Sequence, residues 1–328
     1  MDGRGRSQWP AEGGTDLSDL EPDEEPVKPK FGVVALVGRP NAGKSTLLNS
    51  ILGEKVSIVS NKPQTTRNRI VGILNEQRGQ IAFLDTPGIH KPLHRMNVRM
   101  MDHVKTALSE ADVVTVVVDA TEKFGHGDQF VTQMIRDTDH SGATRVVALN
   151  KIDLMKKADL LPILQKYAEL DVFDEVVPIS ARSRDGADIL LKIFFNKLPE
   201  GDPRYSQEDV TTQPERFFAA EIVREKLLRY TVDELPYSTA VSVERWEEDE
   251  GKELLKIYAS IFVERESQKK IVIGKGGDLI KKIGTEARQE LEAVLGTHIF
   301  LDLHVQVQTL WRENDRFLGE LEWPLKSS

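Results

Sequence analysis

The chain has 328 residues, of which 39% are hydrophobic and 30% are charged, and its formal net charge is −9. That length allows about two domains, each large enough to bury its own core. The sequence contains no cysteine, which excludes disulfides, thiolate zinc sites and cysteine nucleophiles and favours a cytosolic protein. The longest apolar stretches, such as 113–118, are strand-sized and far shorter than the roughly 20 residues that span a bilayer.

The beginning of the chain differs in composition from the rest. Residues 2–30 are rich in Asp, Glu, Gly and Pro and have almost no large apolar side chains, so burial cannot offset the entropy of ordering them. We therefore expect residues 1–30 to form a disordered acidic tail. The segment has neither the apolar centre of a signal peptide nor the Arg-rich, acid-poor composition of a transit peptide.

Apolar, strand-like runs alternate with amphipathic helical patterns over residues 31–198. This alternation predicts an α/β domain whose sheet carries helices on both faces. The connection at 77–79 is short enough for a hairpin between the second and third strands, which predicts an antiparallel edge of the sheet. Functional groups should gather at the carboxyl ends of the strands. The predicted strands are 31–37, 70–75, 80–84, 113–119, 144–149 and 175–179.

The segment 38–45, Gly-Arg-Pro-Asn-Ala-Gly-Lys-Ser, has the spacing and the context of a phosphate-binding loop. It follows the first predicted strand and precedes a helix predicted at 45–52. Its glycines let backbone N–H groups approach phosphate oxygens at a helix N-terminus. Lys44 should reach the terminal phosphates, and the Ser45 hydroxyl should ligate Mg²⁺. The predicted nucleotide contacts here are Gly38, Asn41, Ala42, Gly43, Lys44, Ser45 and Thr46.

A second motif, Asp-Thr-Pro-Gly, directly follows the strand predicted at 80–84. Its position lets the Asp85 carboxylate hold Mg²⁺ through water and lets the Gly88 N–H face a γ-phosphate. Taken alone, such a segment could be a plain turn. The order and strand-end position of all the motifs together favour the nucleotide site.

A third motif, Asn150-Lys151-Ile-Asp153, directly follows the strand predicted at 144–149. A carboxylate at Asp153 can accept hydrogen bonds from the N1–H and 2-amino groups of guanine, whereas adenine presents no such donor pair. The predicted nucleotide is therefore GTP. Ser180 and Ala181 follow the last predicted strand, and their backbone is expected to close over the guanine O6.

These motifs resemble the translation-factor-related class of GTPases and, within it, the bacterial Era family. The resemblance extends from residue 31 almost to the C-terminus, and its distinctive pieces are 63–67 and 85–92. It implies that the loop at 53–69 is the first switch, in which a threonine reaches magnesium only when the γ-phosphate is present. Thr65 and Thr66 compete for that role, and Thr66 is preferred because related GTPases keep the threonine just before the arginine.

The position after Asp-x-x-Gly departs from Ras-like enzymes, which carry a glutamine there to orient the attacking water. This chain has Ile89, which cannot hydrogen-bond that water. The resemblance makes the departure expected and implies slow intrinsic hydrolysis. His90 is expected to be solvated rather than a substitute base. The residues expected to act in hydrolysis are Lys44, Thr66 and Gly88.

Asn41 lies inside the phosphate-binding loop and has two interpretations. The resemblance implies that an asparagine here accompanies a potassium ion across the phosphates, which can replace an arginine finger. Alternatively, Asn41 only tolerates a left-handed backbone turn.

The second half of the chain begins with a polar, aperiodic stretch at 199–213, which predicts a linker. Beyond it, 215–230 predicts a helix. Alternating residues at 237–246 and 254–263 predict two strands of a hairpin. A final helix is expected within 309–323.

A Gly-Lys-Gly-Gly segment precedes a long helix predicted at 278–294. A Gly-x-x-Gly turn between helices lets a nucleic-acid backbone pass close to helix N-terminal N–H groups, although such a turn alone often only connects helices. With its flanking lysines and the order helix, strand, strand, helix, turn, helix, strand, the region 214–328 resembles a type II KH domain. The predicted RNA contacts are Ile273, Gly274, Lys275, Gly276, Gly277, Lys281 and Lys282.

Apolar residues near this turn are candidates for the floor of an RNA groove. Ile273, Ile280 and Ile283 fit that role, although the same side chains are also expected in the core. The final helix could extend the groove. Trp311 and Trp323 are expected to pack rather than to stack on bases.

The sequence thus predicts an α/β P-loop NTPase domain of the Ras-like type, followed by a small α+β type II KH domain. The favoured function is a GTP-hydrolysing switch whose nucleotide state biases how the KH domain is presented to RNA. The resemblance implies the 3′ region of 16S ribosomal RNA as target, 30S subunit assembly as process, and Mg²⁺ with K⁺ as ions. It also implies a monomer that binds no DNA and associates weakly with the inner membrane face.

Other functions remain open at this point. The chain could be an RNA-binding module with structural or very slowly hydrolysed GTP, acting in growth or cell-cycle signalling. The tRNA-modifying GTPases share Asn41 but carry a C-terminal cysteine, which this chain lacks. A tandem-GTPase ribosome factor would need a second phosphate-binding loop, and the sequence contains none.

Overall fold

The computed structural model describes residues 28–138, 142–249, 251 and 253–322. Residues 1–27 of the predicted tail and Trp323 lie outside the described residues. The predicted tail is three residues too long, because Lys28 pairs with Glu200 at 3.2 Å and Lys30 begins the first strand. Within the described residues, no helix is both long and apolar enough to cross a membrane.

A six-stranded sheet forms the centre of the first domain, and its strand order is β2-β3-β1-β4-β5-β6. Among these strands, β2 runs antiparallel to β3 and the other pairs are parallel, which confirms the predicted edge hairpin. Each predicted strand is confirmed to within one residue at either end. The strands are β1 (Lys30–Val37), β2 (Ile70–Glu76), β3 (Gly79–Asp85), β4 (Val113–Asp119), β5 (Thr144–Asn150) and β6 (Glu175–Pro178).

Helices cover both faces of this sheet, which is why its parallel strands are continuously apolar. Leu47 of α1 and Phe194 of α5 are fully buried on one face, and Met100 of α2 is buried on the other. The helices are α1 (Lys44–Leu52), α2 (Arg95–Glu110), α3 (His126–Asp137), α4 (Lys157–Ala168) and α5 (Ala187–Lys197).

The predicted linker at 199–213 is held against the first domain. The backbone N–H of Ile73 in β2 donates to Val210 O at 2.8 Å, and the Thr211 hydroxyl donates to Val71 O at 2.6 Å. Strand β2 lies at the edge of the sheet, where its outer backbone groups would otherwise stay unpaired. The segment is therefore bound to the edge of the first domain, although its polar composition predicted a linker.

The second domain has a three-stranded sheet in the order β7-β8-β9, with helices packed against it. Strand β8 pairs antiparallel with β7 and parallel with β9. The predicted order of elements is confirmed. The elements are α6 (Glu215–Tyr230), α7 (Leu235–Ser238), β7 (Ala240–Asp249), β8 (Leu254–Val263), α8 (Glu266–Ile273), α9 (Asp278–Leu295), β9 (His298–Val307) and α10 (Asp315–Leu321).

The predicted strand at 237–246 is wrong at its start. Residues 235–238 form the short helix α7 instead, with Pro236 in its first turn, and the strand begins at Ala240. Proline is favoured at the first positions of a helix, because its missing N–H has no intrahelical partner there.

The hydrophobic cores of the two domains interlock. Ile58 from the first domain is 2% exposed and lies in the core of the second. Conversely, Trp311 and Leu318 from the second domain are buried in the same cluster as Met100 of α2. The burial of Trp311 at 1% exposure confirms that it packs rather than stacks on bases.

The last helix, α10, docks on the first domain. Asp315 accepts hydrogen bonds from Arg95 at 3.0 Å and from Arg99 at 3.2 Å, both in α2. The expectation that this segment extends the RNA groove stays a prediction, since Asp315 and Leu318 of α10 face the first domain whereas Arg316 and Glu320 are exposed.

Candidate functional site

A cleft of about 720 Å³ opens where strands β1, β3, β4 and β5 end, and its volume suits a nucleotide-sized ligand. Four predicted nucleotide contacts, Gly38, Ala42, Asp85 and Ser180, are buried behind its wall rather than on its surface. The predicted contacts that line the cleft are Asn41, Gly43, Lys44, Ser45, Thr46, Thr66, Gly88, Asn150, Lys151, Asp153 and Ala181.

The backbone of the phosphate-binding loop needs its glycines. Gly43 has a φ of 100°, and a Cβ there would lie 2.2 Å from Asn150 Nδ2. The Lys44 ammonium is buried inside the loop and donates to the carbonyl oxygens of Arg39 at 3.1 Å and Gly38 at 3.4 Å. Burial lowers the pKa of Lys44 to about 8, although the Asp85 carboxylate opposes this effect. The loop thus holds a cation where phosphate groups would lie.

Four oxygen-bearing side chains meet at one end of the cleft. The Ser45 hydroxyl donates to Asp85 Oδ2 at 2.6 Å and lies 2.9 Å from Thr66 Oγ1. The Ser57 hydroxyl also donates to Asp85 Oδ2, at 2.9 Å. Burial raises the pKa of the Asp85 carboxyl, although the Lys44 ammonium and neighbouring hydroxyl groups oppose this effect.

This cluster fits a magnesium ion. Its donors are hydroxyl and carboxylate oxygens, which Mg²⁺ prefers, and Asp85 Oδ1 is buried with no hydrogen-bond partner among the described residues. The described residues contain no group of three or more His, Cys, Asp or Glu that could bind a metal by themselves. A metal at a single carboxylate needs further oxygen ligands, as phosphates and water would provide.

The geometry favours Thr66 over Thr65 as the switch threonine. The Thr66 hydroxyl lies against Ser45, whereas the Thr65 hydroxyl donates to Lys62 O within its own loop at 2.6 Å.

Asp153 and Asn150 have different surroundings at the other end of the cleft. Asp153 is exposed, and its Oδ1 accepts a hydrogen bond from the Ser180 hydroxyl at 2.7 Å. The Asn150 amide instead joins two loops: its Nδ2 donates to Ala42 O, and its Oδ1 accepts from Ala181 N, both at 2.8 Å. Asp153 therefore lines the cleft as an exposed carboxylate, whereas Asn150 holds the wall in place.

Ser57 and Asp119 are among the polar residues of the site that the sequence did not single out. Asp119 ends β4, lines the cleft and forms an ion pair with Lys151. Burial disfavours its charge, but the Lys151 ammonium and Thr121 donors outweigh that effect and lower the pKa of Asp119. The sequence could have indicated Asp119, because it is the first carboxylate at the end of an apolar strand. No local sequence pattern marks Ser57.

The residues after Gly88 face away from the cleft or bridge its loops. Ile89 is 3% exposed and packs in the core, which agrees with its exclusion from water positioning. His90 is half-buried rather than solvated as expected. Its Nδ1 donates to Gly88 O at 2.7 Å, and its Nε2 lies 3.4 Å from Gln64 Nε2 in the first switch.

Asn41 has a left-handed backbone and also contacts the loop at 53–69. Its φ of 62° is left-handed, as a turn residue requires. Its side-chain Nδ2 also donates to Asn61 O of the first switch at 2.9 Å, so the side chain joins the phosphate-binding loop to that switch.

The Gly-x-x-Gly turn in the second domain leaves its backbone accessible. A Cβ at Gly274 would lie 2.8 Å from the Leu279 backbone nitrogen, so packing requires glycine there. Gly276 and Gly277 have φ values of 64° and 86°, and open space surrounds both. Gly277 is the N-cap residue of α9, and no side chain among the described residues caps that helix. The N–H groups of Gly277 and Asp278 donate to the carbonyl oxygens of Gly274 and Lys275 inside the turn, so the turn presents an open, uncovered backbone at a helix N-terminus.

Exposed lysines surround this turn. Lys270, Lys275 and Lys281 have no ion pair with a carboxylate of any described residue. Lys282 lies over the Tyr230 ring at 4.2 Å. In contrast, Lys55 and Lys226 of the same protein are paired with glutamates. Uncompensated positive charge at an open turn is suited to a polyanion.

The three candidate residues for the floor of the RNA groove differ in burial. Ile283 is fully buried in the core, and Ile273 and Ile280 are partly buried against it. Ile271, which the sequence did not single out, is 53% exposed beside the turn.

Two family models match the chain. Residues 33–151 match a 50S ribosome-binding GTPase, and residues 234–312 match a KH domain. The cleft lies within the first match and the Gly-x-x-Gly turn within the second.

Curated relatives are similar over nearly their whole length. GTPase Era of Heliobacterium modesticaldum is 46% identical over 287 residues, which cover 87% of this chain and 94% of that protein. GTPase Era of Geobacter metallireducens is 48% identical over 295 residues, covering 89% and 97%. A crystal structure of Era in complex with MgGDPNP and nucleotides 1506–1542 of 16S ribosomal RNA aligns with a TM-score of 0.86 at 40% identity, covering 89% of this chain and 98% of that one.

The fold and the cleft together define a P-loop GTPase joined to a KH domain. The identity and coverage of the relatives narrow that class further. The chain belongs to the Era family of GTPases, and its reaction is the hydrolysis of GTP.

Proposed function

We propose that this protein is a GTP-driven switch that binds the 3′ region of 16S ribosomal RNA through its KH domain and assists 30S subunit assembly. The RNA complex of the related Era supports this choice of target. The proposed switch rests on one observation: the loop at 53–69 contributes residues both to the cleft and to the core of the second domain. Thr66 in this loop lies in the oxygen cluster, and Ile58 lies in the core of the second domain.

We assign a different part of the nucleotide to each end of the cleft. Ser45, Thr66 and Asp85 hold Mg²⁺, whose charge offsets that of the phosphates. Lys44 and the Gly88 N–H bind the γ-phosphate, and Asp153 accepts the guanine donors. The cluster geometry and the exposed Asp153 carboxylate support these assignments. The remaining proposed GTP contacts are Gly38, Asn41, Ala42, Gly43, Thr46, Asn150, Lys151, Ser180 and Ala181.

The proposed RNA site is the turn with its lysines. The polyanion lies along the uncapped N-terminus of α9, where Gly274, Gly276 and Gly277 let the backbone come close. Lys275, Lys281 and Lys282 supply charge, and Ile273 lies beside the bases.

The proposed division of the chain is 31–198 for the GTPase domain, 199–213 for the connection and 214–328 for the RNA-binding domain. Both family matches fall inside these ranges, which supports the division. We propose a monomer located in the cytoplasm with its ribosomal partner. Association with the inner membrane face stays a prediction of the resemblance.

We also propose that potassium at Asn41 assists hydrolysis. The hydrogen bond from Asn41 to Asn61 O supports this, since it brings a switch carbonyl beside the phosphate-binding loop. An additional cation there would stabilise charge that develops on the transferred phosphoryl group.

Multiple-turnover phosphate release from GTP tests these proposals in one experiment. The rate is measured with and without an RNA copy of the 16S 3′ end, and in K⁺ against Na⁺ at equal ionic strength. We expect slow release that the RNA alters and that K⁺ accelerates. If an RNA of equal length and unrelated sequence has the same effect, the proposed target is wrong. Equal rates in K⁺ and Na⁺ would refute the potassium site.

A further inference from the structure

One face of helix α6 in the second domain holds the first switch along much of its length. Glu225 accepts hydrogen bonds from the Val59 backbone N–H at 2.9 Å and from the Lys55 ammonium at 2.7 Å. Ile58 lies between Lys55 and Val59 in the chain and is buried in the core cluster that also contains the apolar residues of α6. The switch loop is therefore built onto a helix of the other domain.

The contacts are densest on either side of Thr66. The Thr65 carbonyl accepts a hydrogen bond from the Arg224 guanidinium. The Arg67 guanidinium donates to Thr239 O at 2.7 Å and to Pro236 O at 2.9 Å. The backbone that carries the Thr66 hydroxyl is thus fixed to the second domain from both sides.

Arg224 is well suited to hold the Thr65 carbonyl in one position. It is 2% exposed, and Glu221, one turn earlier on α6, fixes its guanidinium through two hydrogen bonds of 2.7 and 2.6 Å. A bidentate pair with a carboxylate holds a guanidinium in one orientation, because both groups are planar. Helix α6 therefore aims a donor at the Thr65 carbonyl.

We propose that Arg224 is a positioning residue for GTP hydrolysis, which holds the Thr65 carbonyl so that the Thr66 hydroxyl reaches the metal site. The inference rests on the proposed role of Thr66. It adds that the RNA-binding domain completes the GTPase site, so that movement of α6 withdraws a metal ligand and slows hydrolysis.

The contact between the 53–69 loop and the second domain also contains features that favour its release. Arg67 and Arg224 are both buried in this contact, and burial together with the Arg224 charge lowers the pKa of Arg67 to about 9. Within the described residues, Arg67 Nε and Arg224 Nη1 are buried without hydrogen-bond partners. Repulsion between the two guanidinium groups and the unpaired donors oppose the closed contact and so favour its release.

The test compares kcat and KM for GTP in four variants of the full chain and in one combination of them. Arg224→Met combined with Glu221→Met removes the guanidinium without leaving a lone buried carboxylate, and Arg224→Lys retains charge and much of the packing. Arg229→Met is the matched control, because Arg229 lies on the same helix but is exposed and pairs with Glu286. Thr66→Ala is the reference for loss of the switch hydroxyl.

We expect kcat to fall about tenfold in both Arg224 variants and to stay near wild type in Arg229→Met, while GDP affinity changes less than twofold. Adding the Arg224 substitution to Thr66→Ala should cause no further loss, because both act through one hydroxyl. A purely structural role would lower the unfolding temperature and GDP affinity together, and its effect would add to that of Thr66→Ala.

The outcomes separate this inference from the proposed function. If Thr66→Ala abolishes turnover while both Arg224 variants keep it, Arg224 does not position the switch and the proposal for Thr66 stands. If Thr66→Ala itself retains wild-type kcat, the assignment of Thr66 is wrong.

Discussion

Asp153 owes its proposed specificity to how its two oxygens are used. Ser180 engages Oδ1, and the side chain is otherwise exposed at the cleft. A carboxylate accepts but does not donate, so it matches the two adjacent donors of guanine. The ion pair of Asp119 with Lys151 places a second, already neutralised carboxylate in the same cleft. Selectivity should therefore depend on Asp153 rather than on the general charge of the cleft.

The Asp153→Asn variant should lose GTP affinity on the order of 100-fold, since a base donor then faces an amide N–H. Xanthine nucleotides, which present an acceptor at that position, should bind more tightly than GTP. Competition of GTP and XTP against a fluorescent GDP derivative measures both affinities. Glu122→Gln, which removes a different carboxylate from the cleft, is the control and should leave the preference for GTP intact. Wild-type GTP affinity in Asp153→Asn would contradict the assignment.

At the scale of elements, the turn between α8 and α9 shows why the acidic chain can still bind RNA. The net charge is −9, yet the lysines at this turn are exposed and have no ion pair among the described residues. Counterion release depends on charges that meet phosphates locally rather than on the net charge of the molecule. The glycines serve the same end, because they leave the backbone of the turn uncovered.

The Lys275→Glu variant should weaken binding of the 16S 3′-end RNA about tenfold at low salt and reduce the salt dependence of that binding. GTP affinity should not change, because the turn contributes nothing to the cleft. The measurement is RNA affinity at several salt concentrations. Lys192→Glu makes the same charge change at an exposed lysine of α5 in the other domain and is the control. An equal loss in both variants would mean that only overall charge matters.

At the scale of the whole molecule, the two domains share structural parts. A switch residue, Ile58, completes the core of the second domain, and Trp311 of the second domain completes a core of the first. The Trp311 indole N–H donates to Ser238 O at 3.0 Å, so this residue is fixed by hydrogen bonding as well as by packing. A change at the cleft that moves the 53–69 loop must therefore alter the contact between domains.

This sharing predicts reciprocal coupling between nucleotide and RNA. If a non-hydrolysable GTP analogue changes RNA affinity relative to GDP by some factor, RNA must change the ratio of analogue to GDP affinity by the same factor. We expect a factor within the range of about 5 to 150, measured by titrating RNA in each nucleotide state and each nucleotide with and without RNA. The Arg224→Met and Glu221→Met double variant should bring the factor closer to one. A factor of one in the wild type would mean that the domains are not coupled.

The sequence by itself determined the elements and motifs whose signals are local. Strand-sized apolar runs set the sheet, and the spacing of Gly38, Gly43 and Lys44 set the phosphate-binding loop, because these patterns report backbone preference and burial within a few residues. The turn at Gly274 followed from the same kind of signal. For these features the expected and the observed positions agree to within about a residue.

Only the tertiary structure decided which distant residues meet. Neither the contact of Ser57 with Asp85, nor the linker on the edge of β2, nor the final helix on α2 has a local signature. The hydrogen bond from Arg224 to Thr65 joins residues 159 positions apart. Such pairs depend on how two folded domains dock, and docking is set by the summed fit of surfaces rather than by any periodic pattern.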